Sequence, residues 1–309
     1  AGLELGIKES IVVNDRMETS VPDIYAAGDA VQVKHYVTGN DALISLAGPA
    51  NKQGRIIADN ICGGDNRYLG SQGSSVIKVF DMTAATTGIN ETNAKKSGLE
   101  VDTVILSPMS HAGYYPGGKV MTMKVVFEKE SYRLLGAQII GYEGVDKRID
   151  VLATAIHAGL KATQLKDLDL AYAPPYSSAK DPVNMAGFMI DNIAKGTLKQ
   201  WHLEDMDKIS RDKSVVLLDV RTVGEFNRGN MDGFKNIPVD ELRERINEIE
   251  KGKPVYLICQ SGLRSYIASR ILEGNGYETY NFSGGFRFYD AVVNDRALIE
   301  KAYACGMDY

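Results

Sequence analysis

PVYLICQSGLRSYIASRIL spans Pro254 to Leu272 and predicts a strand, a tight loop and a helix in succession. The apolar run ends at Cys259, and an amphipathic segment opens at Ser265, with an apolar face formed by Ile267, Ala268, Ile271 and Leu272. In an open α/β sheet, ligand sites form at the carboxyl ends of the strands, so the loop after Cys259 is the first place to look for chemistry. The loop residues are Gln260, Ser261, Gly262, Leu263 and Arg264.

The setting of Cys259 favours a negative charge on its sulfur. Backbone N–H groups that turn inward form an anion-binding concavity, and the N-terminus of the following helix adds partial positive charge. A thiolate held by such donors can accept a sulfur atom and keep it as a persulfide. The alternative is a structural cysteine that packs as a small hydrophobic residue, because free cysteines are often buried.

The spacing Cys-x4-Arg, from Cys259 to Arg264, resembles the active-site loop of rhodanese domains, whereas cysteine phosphatases use a wider Cys-x5-Arg loop. LLDVRTVGEFNRGNMDGFKNIP (217–238) and GYETYNFSGGFRFY (276–289) also resemble rhodanese segments. The resemblance implies a sulfurtransferase that carries persulfide on Cys259. It also implies that the loop amides surround the persulfide and that Arg264 binds the anionic sulfur donor.

Two positions depart from the rhodanese pattern. Asn230 stands where the family usually has His, and Tyr289 stands where it often has Trp. Neither position belongs to the loop after Cys259, so the persulfide site is expected to be intact. The sulfur donor stays open.

The composition of the 309 residues, with 44% hydrophobic residues, allows two or three cores. A net charge of −5 argues against nucleic acid or an anionic membrane surface as the main partner. No apolar run is long enough to span a bilayer, and no signal peptide opens the sequence. Three well-separated cysteines fit a reducing cytoplasm, and we interpret Cys62 and Cys305 as structural or incidental.

Near the start of the chain, the sequence predicts a short strand from Ile11 to Val13, a loop, and a second strand that ends in YAAGD (25–29). Gly28 would let the backbone approach a ligand closely, and Asp29 could accept hydrogen bonds from a hydroxyl. The alternative is an ordinary strand that ends in a Gly-Asp turn, which is common in isolation.

The match Thr-x-x-Pro-x-Ile-Tyr-Ala-x-Gly-Asp, residues 19–29, resembles the second flavin-binding motif of the two-dinucleotide disulfide reductases. The resemblance implies FAD contacts from Gly28, Asp29 and Ala30. A helix predicted over 45–61 carries ANKQGR, and the equivalent segment of the family points its N-terminus at the flavin. The residues that would bind FAD are therefore Gly28, Asp29, Ala30, Ala50 and Asn51.

The middle of the chain predicts a mixture of strands and helices. Strands are expected at 74–80 and 101–107, a hairpin at 119–141, a helix through 149–160, a second helix at Pro182 to Ala194, a linker at 195–206 and a helix near 203–209. The unit before the linker resembles the interface domain of the same reductases, and that resemblance implies a homodimer.

Two loops in this region, HAGYYPGG (111–118) and DLAYAPPYSSAKDP (169–182), are rich in Gly, Pro and Tyr. The His-Pro-Thr-x-x-Glu motif of ordinary disulfide reductases is absent. Tyr114 and Tyr172 instead resemble the tyrosines of coenzyme A-disulfide reductase, which reach the partner subunit's active site. A phenol is a hydrogen-bond donor at neutral pH, so both could donate to a substrate sulfur. The alternative is that they only pack as amphipathic surface residues.

The whole pattern predicts an α/β and α+β chain in three parts: the end of a flavin region (1–70), a dimerisation domain (71–197) and a rhodanese-like domain (198–309). No G-x-G-x-x-G fingerprint follows any strand, and no redox cysteine stands near the flavin motif. The chain is therefore expected to be the C-terminal part of a longer enzyme, with FAD binding weak or absent in this part alone.

The resemblance implies an FAD- and NADH- or NADPH-dependent reductase of coenzyme A disulfide, persulfide or polysulfide, fused to a rhodanese. Its partners would be small sulfur compounds, including thiosulfate and possible coenzyme A derivatives, and a second copy of the chain. One alternative is a stand-alone thiosulfate or thiol sulfurtransferase with an inert dimerisation module. Another is a non-catalytic module that delivers sulfur between proteins. Neither a metal, a membrane nor nucleic acid is expected as a ligand.

Overall fold

The computed structural model describes residues 2–293 and divides into two compact units, 1–102 with 126–160 and 103–125 with 161–309. The helices are α1 (Ala47–Ile61), α2 (Glu91–Lys96), α3 (Val145–His157), α4 (Pro182–Ala194), α5 (Met206–Ile209), α6 (Val223–Asn227) and α7 (Leu263–Glu273). The strands are β1 (Ile11–Val12), β2 (Val31–Lys34), β3 (Asp41–Ala42), β4 (Ser75–Val79), β5 (Met82–Gly88), β6 (Val101–Leu106), β7 (Met121–Glu128), β8 (Leu134–Gly141), β9 (Gln200–Trp201), β10 (Val216–Asp219), β11 (Lys235–Asn236), β12 (Val255–Ile258) and β13 (Thr279–Phe282). Residues 285–293 are also helical.

The N-terminal part of the first unit is a small sheet in the order β1-β2-β3, and α1 packs against it. The predicted strand ending at Asp29 is wrong. Tyr25 makes only an isolated bridge to Glu18, Gly28–Ala30 form a 3₁₀ turn, and the strand follows this turn. Gly28 has φ +77°, which breaks the extended backbone, and the alternation of Val31 and Val33 then gives β2 its buried face.

A five-stranded antiparallel sheet in the order β4-β5-β8-β7-β6 forms the predicted dimerisation domain, and the predicted 119–141 hairpin is confirmed. Strand β5 and helix α2 were not predicted. The turn between β4 and β5 has Phe80 at φ +51° followed by Asp81, without a glycine or asparagine to signal it. Asn90 does signal α2, because its side chain caps the helix by accepting the Asn93 N–H.

A five-stranded parallel sheet in the order β11-β10-β12-β13-β9 lies within the second unit. Its central strand β12 ends at Ile258, so Cys259 follows at the carboxyl end, as the sequence predicts. Helix α7 begins at Leu263 and buries Ala268 and Leu272. Ile267 was expected on the same apolar face, but it is exposed and borders a surface pocket of about 500 Å³.

The predicted linker at 195–206 is partly wrong, because Gln200 and Trp201 form edge strand β9 of the parallel sheet. Trp201 is buried, and its ring stacks on Phe234 and packs at a tilt against Phe282. Its indole N–H donates to the Leu257 carbonyl at 3.3 Å. A tryptophan with these partners belongs to the core, so the domain begins earlier than its first helix.

Part of the predicted dimerisation domain belongs to the second compact unit. Within that unit, the Ile105 N–H donates to Ser283 Oγ at 3.0 Å, and Gln200 Nε2 donates to the Thr103 carbonyl at 3.2 Å. The domain boundaries expected at 70 and 197 therefore stay predictions. Across residues 2–293, no helix has the length and apolar character needed to cross a membrane.

Candidate functional site

The sulfur of Cys259 is buried, with the residue only 1% exposed, and it has two hydrogen-bond donors. The Gly262 N–H lies 3.1 Å from Sγ, and the Ser265 hydroxyl lies 3.2 Å from it. Gly262 adopts φ +100°, a conformation that side-chain-bearing residues rarely take, and this turns its amide towards the sulfur. The structure thus brings together the cysteine, the loop and the start of α7 as the sequence predicts.

The loop is held from outside by the helical residues that begin at Gly285. The Phe286 N–H donates to the Cys259 carbonyl at 2.8 Å, and the Arg287 N–H donates to the Gln260 carbonyl at 3.2 Å. These contacts turn the two carbonyls away from the sulfur. A Cβ at Gly285 would lie 2.7 Å from the Gln260 carbonyl oxygen and from Ser261 Cα, so only glycine fits there.

Arg264 is paired with Glu225 through two parallel hydrogen bonds of 2.7 Å. This bidentate pair lowers the pKa of Glu225 to about 2, chiefly through the Arg264 hydrogen bonds and against the effect of burial. The pKa of Arg264 is raised, first by Glu225 and more weakly by attraction to Cys259. Arg264 is therefore close enough to act on charge at the sulfur, but a carboxylate already holds its guanidinium.

A second ion pair supports the loop from the end of the neighbouring strand β10. Arg221 and Asp219 are at most 1% exposed and are joined by contacts of 2.7 to 3.1 Å. The Arg221 guanidinium lies 3.8 Å from the centre of the Phe286 ring, and its Nη1 reaches Gln260 Oε1 at 3.5 Å. A fully buried pair with this many hydrogen bonds fixes geometry, since losing one partner would strand a charge.

The hydroxyls of Tyr114 and Tyr172 lie 2.6 Å apart, although 58 residues separate them in sequence. Both side chains are exposed, and the pKa of Tyr172 is raised, first by its hydrogen bond to Tyr114. The two loops also meet through the Ala112 N–H, which donates to the Ser177 carbonyl at 3.0 Å. The sequence predicts a function for each tyrosine; the structure joins them into one hydroxyl pair.

The residues expected to contact FAD meet at the first turns of α1. The Gly28 N–H donates to Gln53 Oε1 at 2.7 Å, and a Cβ at Gly28 would lie 3.8 Å from the Ala50 Cβ. Asp29 and Ala30 are exposed beside this contact. Leu46, the N-cap residue, has no side chain that caps the helix, so the amides of the first turn are open to an acceptor.

Ala50 and Asn51 already make hydrogen bonds within the helix. The Ala50 N–H donates to the Leu46 carbonyl at 3.2 Å, and Asn51 Nδ2 donates to the Ala47 carbonyl at 2.9 Å. Among residues 2–293, the N–H groups of Ala47 and Gly48 have no acceptor, and Pro49 has no N–H. A small-residue turn against an uncapped helix fits one edge of a flavin site.

Sequence reasoning missed Glu225, Arg221, Asp219 and Gly285 as individual residues, although all four lie in the segments that resemble rhodanese. Asp219 and Arg221, two residues apart at the end of β10, were the available signal for the buried pair. The Gly-Gly dipeptide was the signal for a close backbone approach. The contacts of these segments with the loop could not be read from the sequence, because they join residues 24 to 39 positions apart.

Two family matches divide the chain. Residues 74–182 match the pyridine nucleotide-disulphide oxidoreductase dimerisation domain, and residues 202–291 match the rhodanese-like domain. The chain therefore combines a pyridine nucleotide-disulphide oxidoreductase dimerisation domain with a rhodanese-like domain. The predicted combination of dimerisation and rhodanese domains is thereby confirmed.

Solved structures of the same family share the fold over nearly the whole chain. The reduced Bacillus anthracis CoADR-RHD is 47% identical with a TM-score of 0.92, and the match covers 96% of this chain and 53% of that one. An NAD-dependent persulfide reductase from A. fulgidus is 42% identical with a TM-score of 0.85, over 94% of this chain and 53% of that one.

Curated relatives match about 60% of the chain. The NAD(P)H sulfur oxidoreductase (CoA-dependent) of Pyrococcus abyssi is 38% identical over 59% of this chain and 41% of the relative. The coenzyme A disulfide reductase of Staphylococcus aureus is 36% identical over 61% of this chain and 43% of the relative. The chain thus spans about half the length of the proteins it matches.

Proposed function

We propose that the intact protein is a flavin-dependent reductase of coenzyme A disulfide, persulfide or polysulfide whose rhodanese-like domain carries sulfane sulfur on Cys259. The observation that carries the rhodanese part is the pair of donors on the buried sulfur, the Gly262 N–H and the Ser265 hydroxyl. The names of the relatives, which include coenzyme A disulfide reductase and persulfide reductase, support the reductase part.

Sulfur transfer at Cys259 needs no group beyond the loop and its substrates. The thiolate attacks the outer sulfur of a donor such as thiosulfate, a new S–S bond forms, and sulfite leaves with the electrons of the old S–S bond. The Gly262 N–H and the Ser265 hydroxyl stabilise the charge on the sulfur before and after transfer. An acceptor thiolate or cyanide then attacks the outer sulfur of the persulfide and releases the Cys259 thiolate.

The reductase part draws on two other groups of residues. Gly28, Asp29 and Ala30, with the start of α1 near Ala50 and Asn51, would hold one side of FAD. Bound FAD would supply two-electron transfer from NADH or NADPH to a sulfur substrate. Tyr114 and Tyr172 would donate hydrogen bonds to the substrate sulfur in a homodimer, since their hydroxyls are exposed and already aligned with each other.

A stand-alone sulfurtransferase is the second candidate, and a specific observation favours it: the Gly262 N–H and the Ser265 hydroxyl, which donate to the Cys259 sulfur, both lie within six residues of that cysteine. The first test uses Cys259→Ser with thiosulfate and cyanide. We expect the 309-residue chain to form thiocyanate and the variant to lose this activity, because oxygen cannot form the persulfide. Activity that persists in Cys259→Ser contradicts the assignment. If the chain transfers sulfur from no donor, only a non-catalytic role in delivering sulfur between proteins would remain.

The second test separates the reductase from the stand-alone transferase and uses the longer protein. Flavin absorbance and reduction of a small persulfide or disulfide by NADH or NADPH are expected there, and both should survive Cys259→Ser, because the two sites perform separate chemistry. A longer protein that binds no flavin and consumes no nicotinamide cofactor would favour the stand-alone transferase.

A further inference from the structure

Gly262 links Cys259 to a residue outside the loop. Its N–H donates to the cysteine sulfur at 3.1 Å, and its carbonyl oxygen is approached by three donors. These are the Tyr266 N–H, the Ser265 hydroxyl and the Asn281 Nδ2, each at 3.1 Å. The Ser265 hydroxyl also lies 3.2 Å from the cysteine sulfur, so the carbonyl and the sulfur compete for its proton.

The three donors compete for two acceptor sites. A carbonyl oxygen has two lone pairs, and the N–H groups of Tyr266 and Asn281 can fill both. The Ser265 hydroxyl has a single proton, and its other acceptor within reach is the Cys259 sulfur at 3.2 Å. With Asn281 in place, the hydroxyl proton is left for the sulfur.

Asn281 makes this contact from β13 and has no other role in hydrogen bonding through its side chain. It is 3% exposed, and its Oδ1 is buried without a partner among residues 2–293. A buried amide oxygen without a donor destabilises a fold. The side chain is therefore best explained by what its NH₂ group does at Gly262.

We propose that Asn281 is a positioning residue for sulfur transfer: its amide occupies the Gly262 carbonyl, anchors the loop there and directs the Ser265 proton to the sulfur. The role rests on the proposed function of Cys259. The role also implies that Asn281 helps to stabilise negative charge on the sulfur, and this effect can be measured without sulfur transfer.

The test uses the 309-residue chain with Cys62→Ser and Cys305→Ser, so that Cys259 is the remaining thiol. Asn281→Asp keeps the size of the side chain and loses its donor. We expect iodoacetamide to alkylate Cys259 about tenfold more slowly at neutral pH, because the sulfur loses hydrogen bonds that stabilise negative charge. With thiosulfate and cyanide, kcat should fall by a similar factor while KM for thiosulfate stays unchanged.

A double-mutant cycle distinguishes positioning from support of the fold. If Asn281 acts partly through Ser265, then Asn281→Ala should slow alkylation less in a Ser265→Ala background, about threefold instead of tenfold. Equal factors in the two backgrounds would show that Asn281 only supports the fold, and unchanged alkylation in Asn281→Asp would overturn the proposal outright.

Thr279→Val is the matched control, since Thr279 lies on the same strand and face, is buried, and bonds to Glu273 instead of the loop. It should melt at a lower temperature without changing the alkylation rate. If Asn281→Ala or Asn281→Asp melts below the assay temperature, Asn281→Ser gives the same comparison with a smaller side chain. Should the wild-type chain transfer no sulfur, the proposed function fails, but the alkylation rates still decide the role of Asn281.

Discussion

The guanidinium of Arg264 donates two parallel hydrogen bonds to the carboxylate of Glu225. The sequence predicts that this arginine binds an anionic sulfur donor. Because of this pairing, an anionic donor would meet an arginine and a carboxylate whose charges largely cancel. Arg264 still attracts charge at Cys259, so its replacement by Ala should affect both the donor and the loop.

The Glu225–Arg264 pair makes stability depend on acid pH. Because the folded-state pKa of Glu225 is lowered from 4.5 to about 2, the unfolded chain binds more protons between these values. The contribution of the pair is therefore fully present above about pH 4.5 and is lost as the pH falls towards 2. We expect the difference in free energy of unfolding between wild type and Glu225→Gln to shrink over this range, measured by urea unfolding at several pH values.

Glu244→Gln provides the control for that titration, since Glu244 is exposed and lies in the same domain. At neutral pH, its free energy of unfolding should differ less from wild type than that of Glu225→Gln. A Glu225→Gln difference that is constant with pH would show that the pair contributes nothing to stability.

Among the elements, the loop after β12 and the helical residues from Gly285 make a contact that tolerates little change. A methyl group at Gly285 would overlap the backbone of Gln260 and Ser261, and backbone cannot move aside as a side chain tip can. We expect Gly285→Ala to reduce sulfur transfer by at least tenfold, since the displaced loop no longer directs the Gly262 N–H at the sulfur. Thiocyanate formation measures the loss.

Gly276→Ala is the matched control for Gly285→Ala. Both glycines have positive φ, +83° and +69°, so both substitutions carry the left-handed backbone cost of about 1–2 kcal/mol. Gly276 has open space where its Cβ would lie, and it should lose stability without losing activity. Equal activities of the two variants would contradict the role given to the Gly285 contact.

The elements also show what could be predicted from the sequence. Helix α4 follows the predicted bounds from Pro182 to Ala194, because Asp181 and Pro182 signal its start and its apolar residues recur at helical spacing. Strands β5 and β9 were missed, because a Phe-Asp turn and a lone tryptophan carry no local signal of pairing. The sulfur loop was predicted well, since its residues are consecutive. The ion pairs around it depend on tertiary contacts.

For the molecule as a whole, an apolar surface on the antiparallel sheet supports the proposed homodimer. Ile77 pairs with Ala84 and Ala84 with Ile140, which places the two isoleucines on one face, and both are more than half exposed. Further exposed apolar side chains on this sheet and its turns are Val76, Val79, Phe80, Met82 and Tyr142. Such a surface is typical of a protein–protein interface.

We expect the chain to be a dimer at micromolar concentration and Ile77→Lys with Ile140→Lys to be a monomer, because buried lysines would lack partners in the interface. Light scattering gives the mass of each. Val223→Lys places the same charge on an exposed valine of the rhodanese-like domain and should stay dimeric. A wild-type chain that is monomeric at this concentration contradicts the proposed dimer.

The tyrosine pair gives a test of action across the dimer in the longer protein. Mixing a Tyr114→Phe, Tyr172→Phe subunit with a subunit that lacks the flavin-side cysteine should restore reductase activity if the tyrosines serve the partner's site. One intact composite site then forms in each heterodimer. Since the two hydroxyls share one hydrogen bond, reductase activity should fall less than 10²-fold in each single variant. The double variant should lose more activity than either single variant. Heterodimers without activity would refute action in trans.

Trp201 is the single tryptophan of the chain, and its side chain is buried in the apolar core of the rhodanese-like domain. Its indole hydrogen bond ends at Leu257, two residues before the reactive sulfur. Tryptophan emission excited at long wavelength therefore reports on the second unit alone, whereas circular dichroism averages over both. If the tryptophan emission and the circular dichroism change at different urea concentrations, the rhodanese-like domain unfolds independently of the first unit.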